Sequence, residues 1–385
     1  MKDQYVILTG GKNNAGDYLI KYRAKKLFAA LRPDRTVVDY DGWKPFTQEQ
    51  LDEINASRAL ILTGGPALQY NMRPSIYPMV EDLSQIKVPI LTMGIGWKSL
   101  EGSWESTHEY PLSDKALELL NRCEADGFIS SVRDYHTLNV LMSRGYKKFV
   151  MTGCPALYSL EHVNTVFPSP TKLTKISFSL GVSFVESQSM EKSMKATILA
   201  LRDYFADAEL NIIFHHSLND SIYLKMHNAR ELFLRRHQEF ARWLESEKIS
   251  YVDVSGGVDK FLAHYQSCDF HVGYRVHAHI LMTSLSKPTA LLCEDGRGIA
   301  LRDVIGGLVL NGHKYHAPFR SRLRRLINRL VGGHKDVFSA VPTLPNDLIS
   351  NMDYEIENAY PRISLARKTV DANFELMKTF LRQLP

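Results

Sequence analysis

The sequence predicts an α/β protein of two domains, and three observations carry the prediction. Short apolar runs alternate with amphipathic ones, the pattern of parallel strands joined by helices. The chain has 385 residues, which at roughly 100–200 residues per domain suits two cores. A polar stretch with two prolines, Val163-Asn164-Thr165-Val166-Phe167-Pro168-Ser169-Pro170-Thr171, separates one series of alternations from the next. The expected division is 1–162, a linker over 163–174, a second domain over 175–345 and a helical segment over 346–385.

In the first half the strand candidates are Tyr5–Leu8, Thr36–Val38, Ala59–Leu62, Pro89–Met93, Gly127–Ser131 and Phe149–Thr152. Helical stretches separate most of them. Leu19, Ile20, Leu27 and Phe28 fall on one side of a helix over Asp17–Leu31, and Leu138, Val140 and Leu141 on one side of Tyr135–Arg144. In the second half the candidates are Ile176–Val182, Asn211–His215, Tyr251–Val254, Phe270–Gly273 and Thr289–Cys293. Met194, Ile198, Leu201 and Phe205 repeat at helical spacing, and Asn351–Leu384 reads as helix. Two such domains facing each other form a cleft, with ligands at the carboxyl ends of the strands.

Composition narrows the class. The chain is 44% hydrophobic and 23% charged, ordinary for a folded protein and wrong for a disordered or fibrous one. No apolar run approaches the ~20 residues of a membrane span, and the N-terminus lacks the pattern of a signal peptide. A cytoplasmic protein is the expectation. Cys123, Cys154, Cys268 and Cys293 are scattered, without zinc spacing, and read as buried reduced thiols.

The net charge of +5 equals one local cluster: Arg320, Arg322, Arg324, Arg325 and Arg329. A general nucleic-acid binder shows a broader basic face, so no nucleic-acid partner is expected. Phe319, Leu323, Leu326, Ile327 and Leu330 interleave with these arginines at helical spacing. Two readings of Phe319–Leu330 stay open: a docked helix with a solvated basic face, or peripheral contact with an anionic membrane at its inner side.

The chemistry concentrates at predicted strand ends. Glycines follow three strands of the first half, in Gly10-Gly11-Lys12-Asn13-Asn14-Ala15-Gly16-Asp17, Thr63-Gly64-Gly65-Pro66 and Gly94-Ile95-Gly96. Glycine lets the backbone approach a ligand closely. None of the three is a Walker A loop or has GxGxxG spacing. Asp17 reads equally as a helix cap and as a contact to a substrate hydroxyl. Arg133, after the fifth strand, is either paired with Asp134 at the surface or an anion clamp.

In the second half, Arg275 and His277 follow Asp269–Gly273, with an apolar helix expected over His279–Leu285. An arginine beside a histidine suits anion binding with proton transfer. Arg297, in Glu294-Asp295-Gly296-Arg297-Gly298, lies at the next strand end. His271 and His279 read as structural. No ligand cluster for a metal is visible.

These pieces, in this order, resemble the polysaccharide pyruvyl transferase family. The resemblance rests on Asn13-Asn14-Ala15-Gly16-Asp17, Thr63-Gly64-Gly65, Gly94-Ile95-Gly96, Ser131-Val132-Arg133-Asp134 and Gly273-Tyr274-Arg275-Val276-His277-Ala278. It implies two Rossmann-like domains facing a cleft in the GT-B manner, with a C-terminal helix crossing back to the first domain. It implies phosphoenolpyruvate as donor substrate and no cofactor. The implied acceptor is a sugar of a cell-surface polysaccharide or its lipid-linked precursor, and the product is a pyruvate ketal. Arg133, Arg275 and Arg297 would then hold the donor, with His277 as general acid/base. Asn14, Asp17, Gly64 and Gly65 would face the acceptor. Two other functions fit the same fold: glycosyl transfer from a nucleotide sugar, and a non-catalytic glycan- or anion-binding module.

Overall fold

The computed structural model describes residues 2–10, 15–221, 231–316 and 338–385. Asn14 and the basic stretch Phe319–Leu330 lie outside these residues. The first sheet contains β1 (Gln4–Thr9), β2 (Thr36–Asp41), β3 (Ala59–Thr63) and β4 (Ile90–Met93), all parallel, in the order β2-β1-β3-β4. A parallel pair, β5 (Ser130–Val132) and β6 (Phe149–Met151), joins the β4 edge through an Ile95–Val132 bridge.

Strands β1 and β3 read Tyr-Val-Ile-Leu and Ala-Leu-Ile-Leu because both faces are covered, and every one of these residues is buried. The edge strand β2 is half-exposed and carries Asp39 and Asp41, charges that discourage edge pairing. Helix α1 (Ala15–Leu31) covers one face with Leu19, Ile20, Leu27 and Phe28, all fully buried, each contributing about 1.5–3 kcal/mol.

The second sheet is wholly parallel. It contains β7 (Lys175–Ser179), β8 (Glu209–Phe214), β9 (Ser250–Asp253), β10 (Phe270–Gly273), β11 (Thr289–Cys293) and β12 (Leu308–Asn311), in the order β12-β11-β10-β7-β8-β9. That is the dinucleotide-fold order, which reverses direction between β7 and β10 and opens a crevice at their carboxyl ends. The protein is thus two Rossmann-like units.

Several elements differ from the sequence expectation. Strand β12 and the small antiparallel pair His313–Tyr315 with Phe338–Ala340 were not expected; all three segments are short. The helix after β10 spans Val276–Ser284, not His279–Leu285, so His277 lies inside its first turn.

The segment after 346 is two helices with different homes, not one that packs wholly on the first domain. Leu344–Glu357 keeps Leu344, Leu348 and Met352 in the second core. The chain breaks at Tyr360, in left-handed conformation before Pro361, and Pro361–Arg382 crosses to the first domain. There Arg32 Nη1 donates to Leu381 O (3.1 Å) and Leu384 O (2.9 Å), and Tyr5 OH donates to Pro385 O (2.6 Å).

The interface between the units is apolar as well as open. Ala278, Ile280, Leu281 and Met282, from the helix after β10, belong to the same buried cluster as β1 and β3. The His277 helix is therefore anchored against both units.

Candidate active site

On the second unit the site begins at the β10 turn. Gly273 packs so tightly on Ser179 that a side chain there would collide with it. This approach lets the Arg275 N–H donate to Ser179 Oγ (3.1 Å). Arg275 then caps the helix Val276–Ser284 in extended conformation. Its Nε donates to Leu180 O (2.7 Å) and its Nη2 to His216 Nδ1 (2.7 Å). A guanidinium has no acceptor, so His216 Nδ1 is the accepting nitrogen.

Arg297 sits in the first turn of the helix Gly296–Ile305, held by the cap residue Asp295. Asp295 accepts from Arg297 Nε (3.0 and 2.9 Å) and from Nη2 (2.6 Å). The Asp295 charge raises the Arg297 pKa further. Burial opposes ionisation of Asp295, yet Arg297 holds its carboxyl below the usual range.

On the first unit, Arg133 is buried. Its guanidinium lies flat against Gly96, where any side chain would overlap it. Nε donates to Asp134 Oδ2 (3.2 Å) and Nη2 to Trp97 O (3.4 Å). The Arg133–Asp134 contact exists, but it is buried rather than on the surface. Asp134 also caps the helix Tyr135–Met142 by accepting from Thr137 N (2.7 Å).

Asp17 stands in the first turn of α1, not at its cap. Its carboxylate faces Gly65, whose φ of +70° suits glycine. Gly64 leaves the candidate acceptor set. Its N–H donates to Met93 O (2.8 Å) and its open side is filled by Ile20.

The two walls meet at His277. A side chain on Gly16 would overlap the His277 ring, so the absence of a Cβ lets the ring seat on the start of α1. His277 Nε2 is buried without a hydrogen-bond partner among the described residues. Burial first, then the charges of Arg133, Arg297 and Arg275, push its pKa down to about 3. The helix N-terminus acts in the same sense, since it disfavours a cation. Burial raises the Asp17 pKa to about 6, although Arg297 and Arg133 pull it down.

The structure therefore brings Arg133, Arg275 and Arg297 within electrostatic reach of His277, and Asp17 within reach of Arg133 and Arg297. The site holds three guanidiniums, of which Arg297 is paired with Asp295 and Arg133 with Asp134, together with Asp17 and a neutral imidazole at neutral pH. Such a site keeps a proton acceptor on each wall.

His271 and His279 are structural. His271 bonds Ser179 Oγ and Thr289 Oγ1 (2.8 Å each) and His279 Nδ1 bonds Thr289 Oγ1 (3.0 Å). The four cysteines are free and buried. Among the described residues no cluster of three or more His, Cys, Asp or Glu could hold a metal, and no helix is long and apolar enough to cross a membrane.

Sequence reading missed the contacts that shape the site: Gly16 on His277, Gly96 on Arg133, His216 on Arg275 and Asp295 on Arg297. The signal was present in part, because a glycine beside a predicted anion site can mark close approach as readily as a turn.

The sequence profile of the polysaccharide pyruvyl transferase family matches residues 14–292. The chain belongs to the polysaccharide pyruvyl transferase family. It is a family of enzymes, and the match spans Asp17, Arg133, Arg275 and His277. No functionally curated protein is significantly similar in sequence. Among solved structures, the UDP-GlcNAc 2-epimerase from Neisseria meningitidis bound to UDP-GlcNAc aligns with a TM-score of 0.50 at 12% identity, covering 99% of this chain and 100% of that one. The UDP-GlcNAc 2-epimerase from Methanocaldococcus jannaschii, in complex with UDP-GlcNAc and UDP, aligns at 0.45 and 12% identity, covering 92% and 100%. At such identity the likeness to the first speaks to the fold alone, which is the GT-B arrangement of the two Rossmann-like domains described above.

Proposed function

We propose that this pyruvyl transferase uses phosphoenolpyruvate as donor and a glycan as acceptor, and closes a pyruvate ketal on two sugar hydroxyls. The observation that carries the reading is the convergence of Arg133, Arg275 and Arg297 on His277. Phosphoenolpyruvate is small and carries a carboxylate and a phosphate, groups that arginines bind through charge-assisted hydrogen bonds.

Proton bookkeeping assigns the other roles. The enol carbon must gain a proton, two hydroxyls must each lose one, and phosphate must leave. One hydroxyl proton is balanced at the new methyl group and the other on the departing phosphate. His277, neutral in the free protein, cannot donate at once. The arrival of a multiply charged anion opposes the arginines and raises its pKa, so donor binding loads the acid. Asp17, ionised above about pH 6, is suited to accept the hydroxyl proton on the opposite wall.

The first turn after β7 also supports a small donor. In dinucleotide folds such a turn offers backbone N–H groups to a pyrophosphate. Here the N–H groups of Val182 and Ser183 donate to Glu294 Oε2 (2.8 and 3.0 Å), and a carboxylate there repels a diphosphate. The test is thermal stabilisation. Phosphoenolpyruvate should raise the melting temperature, and Arg275→Ala should abolish the rise. Stabilisation by a nucleotide sugar alone would instead favour glycosyl transfer.

A further inference from the structure

We infer that Trp104 forms a second, distal subsite that stacks on a pyranose ring of the acceptor glycan, next to the sugar being modified. This rests on the glycan acceptor proposed above. The residues involved sit on the chain between β4 and β5 and just after β5, at the carboxyl edge of the first sheet. That edge also carries Gly65, Gly96 and Arg133.

Three rings are piled there. Trp97 is fully buried and stacks on His136, with centroids 5.3 Å apart and planes at 12°. His136, also fully buried, stacks on Trp104 at 4.0 Å and 24°. Trp104 closes the pile and is 44% exposed. The His136 ring nitrogens and Trp97 Nε1 have no hydrogen-bond partner among the described residues, and burial lowers the His136 pKa. His136 Nε2 faces Asp303 Oδ2 at 3.7 Å, and the pile has one wet end, at Trp104.

The wet end is held in place. Trp104 O accepts from Thr107 N (3.1 Å) and Thr107 Oγ1 (2.6 Å), and Thr107 Oγ1 accepts from Asn139 Nδ2 (2.6 Å). An indole left half in water and fixed by its neighbours offers a preorganised flat apolar surface. A pyranose presents C–H bonds on one face and hydroxyls around its rim. It can cover an indole while its polar edge stays hydrated, the amphipathic use that favours tryptophan at wet interfaces.

The platform connects to the anion site at both ends of its loop. Trp97 O accepts from Arg133 Nη2 (3.4 Å). Gly102 backs onto Gly296, one residue before Arg297, and Ser99 O accepts from Gly296 N (3.0 Å). A sugar on Trp104 therefore lies at the rim of the site, beyond the arginines. Tyr70, 56% exposed, sits on a second loop bonded to this one through Tyr70 O and Ser113 N (2.9 Å). It extends the rim.

The test is saturation-transfer NMR on the full chain with methyl hexopyranosides and β-linked disaccharides, without donor. Wild type should transfer saturation to the C–H face of at least one pyranose. Trp104→Phe, which keeps an aromatic cap on His136, should retain the signal. Trp104→Leu, which caps His136 with an aliphatic chain, should lose it while its circular dichroism and melting temperature stay near wild type. In turnover with an oligosaccharide, Trp104→Leu should raise the acceptor KM about tenfold and leave phosphoenolpyruvate stabilisation intact. No transfer in wild type, or equal transfer in Trp104→Leu, overturns the subsite. Transfer that persists without phosphate release on adding phosphoenolpyruvate would count against the pyruvyl reading and leave the subsite standing.

Discussion

The carboxyl edges of the two sheets are built from opposite materials. The second edge is polar and charged: Arg275 is tied to Leu180 and His216, Arg297 to Asp295, and Glu294 closes the β7 turn. The first edge has close-approach glycines, Asp17 and an aromatic rim, with Arg133 as its buried cation paired with Asp134. A charged edge suits an anionic donor, and a glycine-and-aromatic edge suits a neutral sugar. His277 belongs to the charged edge but rests on Gly16 of the other, so the reaction centre is where the two materials touch.

This contrast can be broken from either side. The largest effect is expected at His277. His277→Ala should lower turnover about 10²–10⁴-fold and leave phosphoenolpyruvate stabilisation in place, read by phosphate release and thermal shift. Turnover at the wild-type rate would remove His277 from the mechanism.

Asp17→Asn comes next, with a turnover loss on the order of 100-fold and an opposite effect on stability. The folded pKa of Asp17 is raised to about 6, so its protonated form is the one folding favours. Its stabilising contribution is present below the unfolded value and is lost as pH rises through about 6. The neutral Asn should therefore melt on the order of 2 °C higher at pH 7. The same residue predicts that kcat/KM for the glycan falls below about pH 6. A flat profile to pH 5 would exclude Asp17 as base.

Gly16→Ala should move the His277 ring without touching a charge. About tenfold to 100-fold lower turnover is expected, and the change should fall on kcat more than on the donor KM.

The smallest effect is calorimetric. Phosphoenolpyruvate binding near pH 7 should take up a fraction of a proton more in wild type than in His277→Ala, measured in buffers of different ionisation enthalpy. Equal uptake in both would mean that the donor does not recharge the histidine. In the absence of donor the sign is reversed. The depressed His277 pKa stabilises the fold above its unfolded value of about 6.5, and that stability is lost as pH falls towards 3.

Much of the frame was legible in the sequence. Phe270–Gly273 and Thr289–Cys293 are read almost to the residue because buried parallel strands are continuous apolar runs ended by sharp changes. The helix after β10 was read three residues late by ordinary apolar spacing, since Arg275 caps it without a Ser, Thr, Asp or Asn to mark the start. The break at Tyr360 was missed because helical periodicity runs on both sides of it, and Pro361 marks it only as a first-turn proline.

The residue types of the site were legible, but their state was not. Nothing local to Val276-His277-Ala278 shows that its ring is neutral, because burial keeps it so first and two of the three arginines that add to it, Arg133 and Arg297, come from distant segments. Gly16 and Gly96 look like turn glycines until the ring and the guanidinium that cover them are in place.

The central claim is donor chemistry at His277, and its most direct measurement is turnover of phosphoenolpyruvate with a glycan in D₂O, followed by NMR. One phosphate released per ketal formed and one deuterium in the new methyl group are expected. His277→Ala should give neither product and still bind phosphoenolpyruvate. Phosphate release at the wild-type rate in His277→Ala, or ketal methyl groups without deuterium, would contradict it.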